Sequence, residues 1–178
     1  EVLDVSTTYE FVINDQLGHL ATGAYELIIT STVDLSIDLI AGWNWISLNV
    51  IPEDPSITSV LSGLGADAEF INSQASGSST NYEQWGGGWE GVLADFEPGN
   101  MYYLKMLAPA TLIVTGMPVE VATTSISLIA GWNWLGYLPQ NPGAVSTALA
   151  SLGADAEFIN SQSSGSSTNY EYWGGGWE

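Results

Sequence analysis

The heptapeptide Leu39-Ile40-Ala41-Gly42-Trp43-Asn44-Trp45 recurs unchanged as Leu128-Ile129-Ala130-Gly131-Trp132-Asn133-Trp134, 89 residues later (128 − 39). A period of that length in 178 residues leaves room for two copies of one structural unit and little else. The later parts of the copies are nearly identical: residues 64–90 and 152–178 differ only at Ala75/Ser163 and Gln84/Tyr172. The copies are out of phase with the chain. The first runs past Trp89-Glu90 into Gly91-Val92-Leu93, whereas the second reaches Trp177-Glu178 and residues 1–3 read Glu1-Val2-Leu3. Residues 1–38 and 128–178 together make one period (38 + 51 = 89). The expectation is a complete repeat over 39–127, an incomplete one over 128–178, and an N-terminal strand segment, 1–38, that completes such a unit in a neighbour or in its own C-terminal half. A window cut from a longer tandem array gives the same pattern.

The joining segments match more loosely. Residues 91–106 (GVLADFEPGNMYYLKM) correspond to residues 1–13 (EVLDVSTTYEFVI) in position and pattern, and Ala110-Thr111-Leu112-Ile113-Val114-Thr115 resembles Tyr25-Glu26-Leu27-Ile28-Ile29-Thr30. Segments rich in Val, Ile, Thr, Tyr and Trp, punctuated by Gly, Pro and Asn, predict strands at 40–50, 69–74, 79–85, 89–93, 101–106, 111–115 and 119–128. One short helix is predicted at 55–64, with Asp54 as N-cap, Pro55 in the first turn and Gly65 at the stop; Asn141, Pro142 and Gly153 repeat these signals. The fold class is all-β, mostly antiparallel, as two tandem sandwich- or barrel-like modules with one short helix each.

Charge limits the partners. Twenty Asp and Glu face one Lys, no Arg and one His, for a net charge of −19. Phosphate neutralisation needs Lys and Arg, so nucleic acid is a poor partner, and anionic membrane surfaces are disfavoured on the same ground. No apolar run approaches the roughly 20 residues of a membrane helix. Cysteine is absent, so there is no disulfide framework. The first residue is Glu rather than Met, the expectation being a processed form or a fragment.

In Gly42-Trp43-Asn44-Trp45-Ile46-Ser47-Leu48-Asn49-Val50, strand alternation puts Ile46, Leu48 and Val50 on one face and Trp43 and Trp45 on the other. Trp43, Trp45, Trp132 and Trp134 are therefore weighed as an aromatic platform for sugar rings against packing at an interface, and packing is the commoner use of large aromatics. Trp85-Gly86-Gly87-Gly88-Trp89 and its second copy, with Trp173 and Trp177, read as a glycine turn bordering a subunit junction. The polar block around Asn72-Ser73-Gln74 reads as a solvated hairpin loop. Asp67, Glu69, Glu83, Glu90, Asp95 and Glu97 offer hard oxygen ligands that suit calcium, but without EF-hand spacing they read as a solvated acidic face. No cofactor or metal is expected. Catalysis is not expected either, because neither His19 nor Lys105 recurs beside a nucleophile in both copies.

The succession Gly-Trp-Asn-Trp-x-Ser-Leu at 42–48, Phe-Ile-Asn-Ser-Gln at 70–74, Tyr82, Gly88-Trp89 and Pro-Gly-x-x-Tyr-x-Leu-Lys at 98–105 resembles tandem modules of large secreted or surface repeat proteins of bacteria and some algae. The N-terminal segment departs from it, lacking the Pro-Gly and the Lys. The resemblance implies an extracellular or cell-surface location and no assigned enzymatic activity. The expected function is a structural subunit assembling head to tail by strand exchange, with self as partner. Val2, Leu3, Tyr9, Phe11, Ile13, Leu27, Ile29, Trp173 and Trp177 are the expected interface residues. The alternative is a glycan-binding or adhesion module.

Overall fold

The computed structural model describes residues 6–14, 20–28, 31–74, 79–162, 167–171 and 173–177; for 6–14 and 20–28 the description is of the backbone. The chain is mostly antiparallel β-structure with short helical turns. Strands β1 (Ser6–Asn14) and β2 (Leu20–Ile28) pair with each other as a two-stranded sheet.

The first repeat is built around one core. Strands β3 (Val33–Leu39), β4 (Gly42–Ile46) and β5 (Val50–Ile51) lead to a one-turn helix α1 (Ile57–Val60) and a 3₁₀ segment at Ser62–Asp67. Strands β6 (Ala68–Ser73), β7 (Ser79–Glu83), β8 (Gly88–Gly91), β9 (Tyr102–Met106) and β10 (Ala110–Pro118) follow. They form a five-stranded sheet, β4-β9-β6-β7-β8, and a three-stranded sheet, β3-β10-β5. The alternation read from the sequence puts Ile46, Leu48 and Val50 inside, where they join Leu104, Ile71, Leu112, Val114, the helix residue Ile57 and the helix C-cap Leu61. Fully burying such side chains contributes about 1.5–3 kcal/mol each, and this core is what gives the repeat its stability.

The helix is shorter than 55–64, and its N-cap is Ser56, whose Oγ accepts from the Ser59 N–H at 3.2 Å. Asp54 instead accepts from the Ser56 N–H at 3.0 Å, which holds its exposed carboxyl below the ordinary carboxylate range. The predicted strand at 40–50 is split, because residues 47–49 carry the chain from one sheet to the other.

The second repeat copies only part of this. It has a helical turn α2 (Val145–Ala148), a 3₁₀ turn at Gly153–Asp155 and strands β11 (Phe158–Asn160), β12 (Ser167–Glu171) and β13 (Gly176–Trp177), paired in the order β11-β12-β13. Asn141 caps nothing here: the residue before α2 is Ala144, which makes no side-chain cap. Among the described residues from 128 onward, only Gly136 and Leu138 are buried. Both lie in the stretch that docks on the first repeat, where the Gly136 N–H donates to Gly99 O at 2.8 Å. The strand predicted at 119–128 does not form, although its counterpart β3 does.

Candidate functional site

The second repeat loses its strands in a definite pattern. In the first repeat, β4 and β6 pair with opposite edges of β9, while β3 and β5 pair with β10. The counterparts of β3, β4 and β5, at residues 122–128, 131–135 and 137–138, are not strands. Strands β11, β12 and β13, whose counterparts β6, β7 and β8 pair among themselves, do form. Each missing pairing therefore traces to a counterpart of β9 or β10. A backbone edge without a partner exposes a row of N–H and C=O groups that accept an added strand. Among the described residues, no strand pairs with the edge of β11 that corresponds to the β9-facing edge of β6, and Trp132 of residues 131–135 packs against Phe158 at that place.

The side chains that would face the missing strands are less buried than their counterparts in the first repeat. Ile57 is 1% exposed, while its counterpart Val145 is 37% exposed. Leu149, Leu152, Ala156 and Ile159, counterparts of the buried Leu61, Leu64, Ala68 and Ile71, are only half-buried. The residues that cover this half-core in the first repeat are Leu93, Tyr102, Leu104, Met106, Leu112 and Val114. By sequence correspondence these are the places of Leu3, Tyr9, Phe11, Ile13, Leu27 and Ile29. Tyr9, Phe11 and Ile13 have their backbones in β1 and Leu27 in β2; Val2, Leu3 and Ile29, like His19, lie outside the described residues.

Trp173 and Trp177 stand on the other side of the second sheet. Trp173 lies in the β12–β13 turn and Trp177 in β13, at the far side of the sheet from the β9-like edge of β11. Trp173 is fully exposed, as is its counterpart Trp85. Trp177 packs edge-on against Tyr170 at 5.7 Å, repeating the Trp89–Tyr82 contact at 5.6 Å.

The four tryptophans of the repeated heptapeptide divide into two pairs. Trp45 and Trp134 are half-buried and both pack against Tyr103, with ring centroids 5.5 and 4.0 Å away, and so belong to the contact between the repeats. Trp43 and Trp132 remain 46% and 65% exposed, each braced by an edge-on phenylalanine, Phe70 at 5.9 Å and Phe158 at 5.7 Å. Lys105 lies 6.0 Å from the Trp43 ring and bridges to Glu69 at 2.9 Å.

Gln74 and Gln162 clasp the two repeats. Gln74 Oε1 accepts from the Trp134 N–H and its Nε2 donates to Trp132 O, both at 2.5 Å. Gln162 Oε1 accepts from the Trp45 N–H at 2.5 Å and its Nε2 donates to Trp43 O. Each side-chain amide thus stands in for a neighbouring strand on the edge of the other copy. Because the exchange is reciprocal the contact is isologous, and an isologous contact is saturated by two partners. Sequence reasoning placed Gln74 in a solvated loop. The signal was the repeated Phe-Ile-Asn-Ser-Gln, but nothing local tells which backbone a glutamine will reach.

A comparison with protein-family models, with curated proteins and with solved structures finds no match for this chain. Among the described residues, no three acidic or histidine side chains come together as a metal site, so the acidic positions from Asp67 to Glu97 form no cluster. No helix among them is long and apolar enough to cross a membrane.

Proposed function

We propose that this chain is a subunit of an extracellular structural filament, in which the second repeat of one chain is completed by the N-terminal strands of a second copy. The observation that carries the reading is the loss of the strands whose counterparts pair only with β9 or β10, next to a partly exposed half-core. Added strands supply the missing backbone hydrogen bonds and bury the half-core together, which is β-augmentation. The donor and acceptor surfaces differ, so the contact is heterologous and propagates unless its rotation closes a ring. The glutamine clasp is already saturated within the chain, which leaves the strand slots as the surface for growth. The extracellular location rests on the resemblance to secreted repeat modules.

Electron microscopy of the purified chain tests the reading. Filaments that disappear on deleting residues 6–28 are the expected result. Discrete particles at every concentration count against it. In that case intramolecular closure, with the strands before β3 seated on the second repeat of the same chain, becomes the better account.

A second reading draws on Trp43 and Trp132, whose exposed, braced rings offer flat faces to neutral sugars. It predicts quenching or a blue shift of tryptophan fluorescence on adding neutral polysaccharide, with loss of the signal in Trp43→Ala and Trp132→Ala.

A further inference from the structure

Deepening the filament reading, and resting on it, we propose that the second repeat carries two separate acceptor slots, and that the β1–β2 hairpin of a second copy must split to fill them. The first repeat supplies the template. There β9 is hydrogen-bonded on both edges along the same residues: Tyr103 pairs with Trp45 on one side and Asn72 on the other, and Lys105 with Trp43 and Phe70. Strand β10 lies in the other sheet, between β3 and β5. A strand seated in the place of β9 therefore has no edge left for a hairpin partner.

In the free chain, β1 and β2 pair along their whole length, from Ser6↔Ile28 to Asn14↔Leu20. That pairing occupies one edge of each donor strand, and a strand bound for the place of β9 needs both. Opening the hairpin releases two extended segments joined by residues 15–19. The alternation Tyr9-x-Phe11-x-Ile13 then matches Tyr102-x-Leu104-x-Met106, and Leu27 and Ile29 match Leu112 and Val114. Strand β1 enters between residues 131–135 and β11, and β2 enters beside residues 122–128. The donor is a second copy: among the described residues, the chain's own hairpin pairs only with itself and with neither slot, although its tether holds it at high effective concentration. Self-pairing also covers one edge of each donor strand before assembly, which limits misdirected pairing.

A hairpin locked by a disulfide tests this. Thr8 and Glu26 are opposite one another in the register, within the reach of a disulfide in an antiparallel pair. In the Thr8→Cys/Glu26→Cys variant, the oxidised chain is expected to assemble at least tenfold more slowly than the same chain reduced, with reductant restoring filaments. Equal rates in the two states overturn the splitting step, since the hairpin then docks whole. The 6–28 deletion separates the two claims. If it abolishes filaments while the locked chain still assembles, strand donation stands and splitting falls. If the deleted chain forms filaments, or the wild-type chain forms none, both fall.

Discussion

The backbone N–H of Trp134 donates to Gln74 Oε1 at 2.5 Å, and the first repeat returns the same bond from Trp45 to Gln162. Gln74→Ala is expected to expose the Trp134 amide to exchange while leaving the Trp45 amide protected, and Gln162→Ala to do the reverse. Each substitution removes two hydrogen bonds of about 0.5–1.5 kcal/mol apiece. Amide hydrogen exchange by NMR reads the effect residue by residue. Unchanged protection at both amides would mean that the clasp does not form.

Ile71 is fully buried and its counterpart Ile159 is half-buried. Ile71→Ala is expected to cost about 2–5 kcal/mol in urea unfolding. Ile159→Ala should cost less than about 1 kcal/mol in the unassembled chain, because a site already open to water leaves little new cavity. In filaments the same Ile159→Ala change should raise the critical concentration severalfold. Equal costs in the unassembled chain would mean that the second core is already closed.

Tyr102 lies in the core with its Oη accepting from the Glu97 N–H at 2.7 Å, and burial raises its pKa from the ordinary 10.0. The raised value means that the folded state favours the neutral phenol. Its contribution is complete below pH 10 and is lost as the pH rises through the folded-state value. Tyr102→Phe leaves the Glu97 N–H without its acceptor and should destabilise by about 1–3 kcal/mol near neutral pH. The gap between wild type and variant should narrow in denaturation series taken above pH 10. A constant gap across that range would remove the phenol from the account.

A net charge of −19 makes two copies repel. Raising ionic strength from about 0.01 M to 0.15 M shortens the screening length from roughly 30 to 8 Å. The critical concentration for filaments is expected to fall severalfold over that range by sedimentation. A rise would indicate that attraction between opposite charges drives assembly, which one lysine against twenty acidic groups does not supply.

The amino-acid sequence by itself determined what depends on neighbours along the chain. Asn44 and Asn133 each close the same small loop, the first bonded to Ile40 N–H, Ile40 O and Gly42 O and the second to Ile129 N–H, Ile129 O and Gly131 O. Gly42 and Gly131 take φ +95 and +94 there, a region that L side chains avoid. The β6–β7–β8 and β11–β12–β13 meanders form alike because their partners are consecutive. Tertiary structure decided the rest. Residues 42–46 become a strand only because β9 arrives from 60 residues on to pair Asn44 with Leu104. Residues 131–135, with the same Gly-Trp-Asn-Trp, do not. Strand propensity prepares a backbone edge, but its hydrogen bonds and its buried face exist only once a distant strand comes to lie against it.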